Sequence, residues 1–310
     1  MTSNNMSIRP LDLRDLPALA RYRNNAITLD TGRALTRGHP LSAAGFLGYF
    51  NPARHIYGAV ANGSSDPLVG GVINTRGETI AKLLYLAPDS QLEHPELPAL
   101  IEHLAAQAGS WGVFQVIAEV DETSLAFRGL RLAGFSVYAW QRMWDVSQVT
   151  DPARASEWAR MRPVDLPAVQ SLHQQIVPPL LQPVEPLPAR PRGFVSKDGM
   201  KCYVALSTGI YGILLTPLIH PEATDVGLKL AALISHLPDR GERPMYVCVR
   251  SYQAWLEPVL ADLGARAGDR QAVMVKHLAR VIKEEQSVRG AQPSGVSVQP
   301  SQVSRFESKK

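Results

Sequence analysis

The chain has 310 residues, 45% hydrophobic and 19% charged, a globular composition that excludes a mostly disordered or highly charged protein and leaves room for two domains of ordinary size. No apolar run is long enough to span a bilayer, and the polar start already carries Arg9, Asp12, Arg14 and Asp15, so neither a membrane span nor a secretory signal is expected. Of the formal net charge of +4, half comes from residue 281 onward, where five Lys or Arg face three Asp or Glu. The remainder is only slightly basic and has no dense Lys/Arg stripe, which argues against a nucleic-acid partner. Cys202 and Cys248 each lie in an apolar, β-like run and read as buried free thiols, pointing to a reducing cytoplasm.

In chain order, Ser7 to Pro10 predicts a short strand, followed by a helix capped by Asp12 and running to about Arg23, with Leu13, Leu16, Leu19 and Ala20 at helical spacing. A Gly-rich loop is expected from Thr31 to Pro40, then a helix capped by Ser42 and ending near Phe50. Three strands follow at His55 to Ala61, Leu68 to Asn74 and Thr79 to Leu86. The Asn62-Gly63 and Arg76-Gly77 steps between them suit antiparallel turns. Leu97, Leu100, Ile101, Leu104 and Ala108 form the apolar face of a crossover helix that Gly109 ends. A buried strand (Val113 to Val120), a helix stopped by Gly134 (Thr123 to Leu132) and an aromatic-rich strand (Phe135 to Val146) complete the series.

From Asp151 the chain begins again. Met161-Arg162-Pro163-Val164-Asp165-Leu166-Pro167-Ala168 echoes Ile8-Arg9-Pro10-Leu11-Asp12 followed by Leu16-Pro17-Ala18, once a short insertion is allowed. Ile213 to His220 answers Leu83 to Pro88, and Leu233-Ile-Ser-His-Leu237 answers Leu100-Ile-Glu-His-Leu104. Met245 to Arg250 answers Phe114 to Val120, and the stop at Gly264 answers Gly134. The second copy departs at Pro178 to Pro191, too Pro-rich for a helix and expected to run extended over the surface. The organisation expected is residues 1–150, residues 151–280 and a disordered tail, 281–310.

The repeated unit resembles the GCN5-related N-acetyltransferases in its order of elements, its apolar-Arg-Pro start and its helix ending Leu-Ala-Gly134-Phe135 before an aromatic strand. That resemblance covers roughly residues 6 to 278. It implies an α/β (α+β) fold in two tandem acyl-CoA N-acyltransferase-like domains, each a mixed, mostly antiparallel sheet flanked by helices. It also implies acetyl-CoA or another acyl-CoA as co-substrate, held by a strand ending in apolar-x-Pro and an Arg/Gln-x-x-Gly-x-Gly/Ala loop. There, free backbone amides and a helix dipole would grip the pyrophosphate. In the first copy Leu86-Ala87-Pro88 and Gln91 fit, but His94 and Glu96 stand in place of the glycines, and Glu96 would repel a pyrophosphate. In the second copy Ile219-His220-Pro221 fits, Thr224 takes the Arg/Gln position, and Gly227 keeps the first glycine. Lys229, beside a phosphate or solvated in the helix's first turns, replaces the second. Ile219, Thr224, Val226, Gly227 and Lys229 are therefore the cofactor-binding candidates.

The tyrosine that often serves the family as general acid is Leu130 in one copy and Leu260 in the other. Glu119 and Asp121, at the end of the strand where this fold splays open, are candidate general bases, and Tyr252 is a candidate acid. Each has the alternative of an ordinary rim or helix-end residue. No zinc spacing and no Walker-type loop occurs. Two readings stand nearly even. One is an N-acyltransferase in which an amine of a small molecule or peptide attacks the thioester directly. The other is a non-catalytic pseudoenzyme that uses the fold as a ligand-binding or protein-interaction scaffold.

Overall fold

The start of each copy is organised by one carboxylate. Asp15 accepts the backbone N–H of Asp12 at 2.8 Å and a two-pronged hydrogen bond from the Arg9 guanidinium at 2.6 and 2.7 Å. Asp165 accepts the N–H of Arg162 at 2.8 Å in the second copy. A short 3-10 turn, Leu13–Asp15, stands between Asp12 and the helix, so the residue in the N-cap position is Asp15 rather than Asp12. The computed structural model describes residues 7–42, 54–62, 66–75, 77–150, 158–196 and 200–278. The expected helix ending near Phe50, Gly63 and Arg76 of the two turns, and the tail lie outside those residues.

The first copy comprises β1 (Ser7–Pro10), α1 (Leu16–Tyr22), β2 (Ile27–Thr28), α2 (Thr31–Arg37), β3 (Arg54–Asn62), β4 (Leu68–Thr75), β5 (Ile80–Ala87), α3 (Leu97–Ser110), β6 (Gln115–Asp121), α4 (Leu125–Leu132) and β7 (Ser136–Asp145). The second comprises β8 (Trp158–Arg160), α5 (Leu166–Ile176), β9 (Gly193–Ser196), β10 (Cys202–Thr208), β11 (Ile213–Ile219), α6 (Val226–Ser235), β12 (Met245–Arg250), α7 (Leu256–Asp262) and β13 (Arg266–His277). Gly134 and Gly264 stop α4 and α7 at matching places with φ of +84° and +78°, the left-handed conformation that only glycine adopts without strain. The meander β3–β4–β5 is antiparallel, as the spacing of its turns predicts.

All these strands join one sheet in the order β1-β3-β4-β5-β6-β13-β7-β12-β11-β10-β9-β8, with β2 beside β5. That order is a palindrome of the two copies about its centre. There the last strands are exchanged, since β13 of the second copy lies between β6 and β7, and β7 lies between β13 and β12. Both copies therefore belong to one compact unit, Met1–Ala279, and the boundary at residue 150 falls inside it. Helices α3 and α4 cover one face of the first half through Leu97, Leu100, Ile101, Leu104, Ala126 and Leu130. On the second half, Leu230, Leu233, Leu256 and Leu260 of α6 and α7 do the same. The opposite face carries α1 and α5 toward its two ends, packed on β-strand residues such as Val60, Val69, Val195 and Tyr203. A cavity lies between them.

Two expectations fail on that face. Thr31–Arg37 is a helix rather than a loop: the Asp30 carboxylate accepts the N–H of Arg33, Gly38 (φ +83°) ends the turn, and Gly32 allows close approach to Leu214. Pro178 to Pro191 is not extended through its first half, because the carbonyls of Pro178 and Leu181 accept successive N–H groups in tight turns and bury Val184.

Because β6 pairs with β13 from Gln115↔His277 to Asp121↔Gln271, a fragment of residues 1–150 leaves that edge open and β7 without two partners. Light scattering on a size-exclusion column should find the fragment as a dimer or aggregate. A monomer with a cooperative thermal transition would contradict the exchanged pairing.

Candidate functional site

In each copy the parallel pair at the sheet's middle separates after three paired residues, at Lys82↔Ile117 in β5·β6 and at Leu215↔Val247 in β11·β12. Diverging strands leave backbone groups that need other partners. In the first copy the chain itself supplies them: Ile27 and Thr28 pair with Leu86 and Tyr85, the Leu29 N–H donates to the Leu84 carbonyl at 2.9 Å, and the Glu119 N–H donates to the Leu29 carbonyl at 2.8 Å. Leu29 is fully buried in the main core. In the second copy the matching groups are taken by one side chain. Gln253 accepts the Ile219 N–H at 2.9 Å and donates to the Pro217 carbonyl at 2.8 Å.

The cavity, about 1290 Å³, spreads over the two diverging pairs on the face opposite α3, α4, α6 and α7. Lys82 faces it, 41% exposed, with its ammonium 3.0 Å from Asp30 and 3.5 Å from Glu119. Burial works against the ammonium, but Asp30 and Glu119 outweigh it and raise Lys82 above the usual lysine range. Glu119 also accepts the Thr31 N–H at 2.9 Å. Burial would push its carboxyl up, yet the Lys82 and Arg250 cations, with hydrogen bonds from Gln141 and Thr31, hold it below the ordinary value. A second cluster centres on Glu185, which pairs with the Arg250 Nε at 2.6 Å and accepts from the hydroxyls of Tyr138 and Tyr252. Burial, then the Glu185 charge, raises Tyr252 far above an ordinary phenol. Tyr138 is raised as well, by burial first.

Glu119 and Tyr252 thus line one cavity, whereas Asp121 does not. Asp121 caps a turn by accepting from the N–H and hydroxyl of Thr123. None of Ile219, Thr224, Val226, Gly227 and Lys229 lines the cavity. Thr224 is exposed, Gly227 is half-buried, and an added Cβ there would make only ordinary contact with Val259 at 3.4 Å. Asp225, before α6, has a left-handed φ of +54°. Lys229 is 7% exposed, so it is not the solvated lysine the sequence allowed. Glu96 is also buried, immediately before the first residue of α3, where a pyrophosphate would need free amides. Cys202 and Cys248 are buried as expected and form no disulfide, and burial pushes the Cys248 thiol up to about 11.

Sequence reasoning missed Lys82, Asp30, Glu185, Arg250 and Tyr138. Lys82 and Arg250 had a usable signal, since each is the lone charge in an apolar strand, IAKLLYLA and MYVCVR. Glu185 had none. Among the described residues, no His, Cys, Asp and Glu group is placed to hold a metal, and no helix is long and apolar enough to cross a membrane.

No protein-family model and no curated protein matches the chain. Solved structures do. A GCN5-related N-acetyltransferase from Sphaerobacter thermophilus superposes with a TM-score of 0.52 at 13% identity, over 89% of this chain and 97% of that one. A candidate acetyltransferase from Pyrococcus horikoshii gives 0.52 at 9% identity, over 90% and 92%. The protein has the GCN5-related N-acetyltransferase fold, a mixed α/β sheet flanked by helices. The strand order repeats that unit twice in one chain.

Because Glu119 is held ionised, its contribution to stability is present above the unfolded carboxyl value, near 4.5, and is lost as pH falls through the lower folded value. Lys82→Met removes the leading cation and leaves burial to push that carboxyl up. Urea denaturation should therefore show the variant's deficit against wild type to be largest near neutral pH and smaller in acid. A deficit independent of pH would break the link between the two residues. Leu29→Ala empties a fully buried site and should cost about 2–5 kcal/mol in the same assay, against under about 0.5 kcal/mol if the segment were a surface strap.

Proposed function

We propose that this protein is a non-catalytic member of the acyltransferase fold that binds a small molecule in its central cavity. The observation that carries the reading is the closure of the first copy's strand gap by Ile27 to Leu29, which takes the hydrogen-bonding groups on both strands. An acyl-CoA arm entering there would have to displace a buried leucine and two backbone hydrogen bonds. Further support comes from Glu96 at the N-terminus of α3, a carboxylate set against an incoming pyrophosphate. In the second copy the Gln253 amide already satisfies Ile219 and Pro217. Tyr252, the candidate acid, has its proton committed to Glu185 and is shifted away from neutral-pH release.

A second reading has its own observation. Asp225 and Gly227 open α6 next to a gap held by a single side chain, so for acyl-CoA transfer to an amine of a small molecule or peptide the second copy alone would hold the cofactor, with Ile219, Thr224, Val226, Gly227 and Lys229 about it and Glu119 of the first copy as base. Calorimetry with acetyl-CoA separates the two. The proposal expects no saturable heat at ordinary salt. One site per chain, abolished by Gly227→Val and untouched by His94→Val, would establish the second reading instead.

A further inference from the structure

The cavity carries more positive charge than its own carboxylates neutralise. Eight Lys or Arg line it against five Asp or Glu. Four of the five are already engaged at ion-pair distance: Asp30 and Glu119 by Lys82, Glu185 by Arg250, and Asp239 by Arg160. Two of the cations that no carboxylate engages lie on α2 and β3. Arg37, exposed at the last turn of α2, and Arg54, half-buried at the start of β3, both line the cavity. Among the described residues, neither side chain makes a hydrogen bond or an ion pair. Burial, and then the like charge of Arg37, depress Arg54, and the opposite charges of Asp30 and Glu78 do not make up the difference. Two like-charged guanidinium groups with no ion-pair partner among the described residues are destabilising to the empty protein. On β12, the Nη1 of Arg250 is buried with no hydrogen-bond partner among the described residues, although its Nε is paired to Glu185.

Resting on the reading of the cavity as a ligand site, we propose that its ligand is a small organic anion with a carboxylate or phosphate group, gripped at the mouth by Arg37 and Arg54 and met at the floor by Arg250. Guanidinium groups offer paired N–H donors in a plane that matches both kinds of oxyanion. Such an anion would relieve the Arg37–Arg54 repulsion on binding. The engaged groups beneath, Lys82 with Asp30 and Glu185 with its two tyrosines, would fix the polar remainder of the molecule.

Thermal denaturation of the full chain at low ionic strength tests this with citrate and pyrophosphate as probes, against sodium chloride of matched ionic strength. The wild-type melting temperature should rise with at least one probe and not with chloride, and calorimetry should give one site. Arg37→Gln and Arg54→Gln should each weaken that site roughly tenfold or more. Without anion, both should melt at or above the wild-type temperature, a gain that arginines with a purely structural role would not give. A response to pyrophosphate alone assigns a phosphate-bearing ligand, and a response to citrate alone a polycarboxylate. No response from wild type to either probe, or unchanged affinity in the double variant, would overturn the proposal. Acetyl-CoA binding that ignores both substitutions would overturn the non-catalytic reading while leaving the anion site in place.

Discussion

A pair of parallel strands can part in the middle of a sheet only if something else satisfies the N–H and C=O groups it exposes. That requirement governs the molecule. In the first copy it is met by a three-residue stretch between α1 and α2, whose amide and carbonyl at Leu29 reach both β5 and β6. In the second it is met by the amide of Gln253. Leu84 and Leu86 of the first copy correspond to Pro217 and Ile219 of the second, so the same two strand positions are served by different means. Where the fold offers an entrance, this chain has placed its own atoms.

Closure of the first gap has consequences further along. The chain leaving Leu29 passes directly into Asp30 and Thr31, so the segment that fills the gap also delivers a carboxylate to Lys82 and an N–H to Glu119. From there α2 runs over the cavity to meet the second copy, where Tyr211 donates to the Thr36 carbonyl and Gly209 lies too close to it for any side chain. The cavity wall is thus made by both copies, and the exchange of β7 and β13 holds those copies in one sheet. Charge that would be costly in a core is tolerated because it is paired, Lys82 with two carboxylates and Arg250 with Glu185.

Much of the architecture could be read from the sequence because it rests on short-range physics. The apolar period of Leu97 to Ala108, the glycine stops at 134 and 264, and the repeated Arg-Pro start each have a local cause, and each stands in the structure. What escaped was non-local. A two-residue strand at Ile27 leaves no periodicity to detect, and glycines at 32 and 38 suggested a loop when one is there for Leu214 and the other ends a helix. The exchange of last strands leaves no mark either, since β7 and β13 have the same pattern whichever neighbour they choose. Among the site residues, Glu119 and Tyr252 stood out by position, yet their partners Lys82 and Glu185 come from distant segments, one of them a proline-rich stretch with no chemical signature.

The most direct measurement of the account is amide hydrogen exchange at Leu29 and Glu119 in the full chain. Both N–H groups are buried in hydrogen bonds that close the gap, so they should exchange only through opening nearly as costly as global unfolding, and acetyl-CoA should leave their rates unchanged. Exchange of Leu29 at the rate of an exposed loop, or a change at either amide on adding acetyl-CoA, would mean that the gap is open and the central claim is wrong.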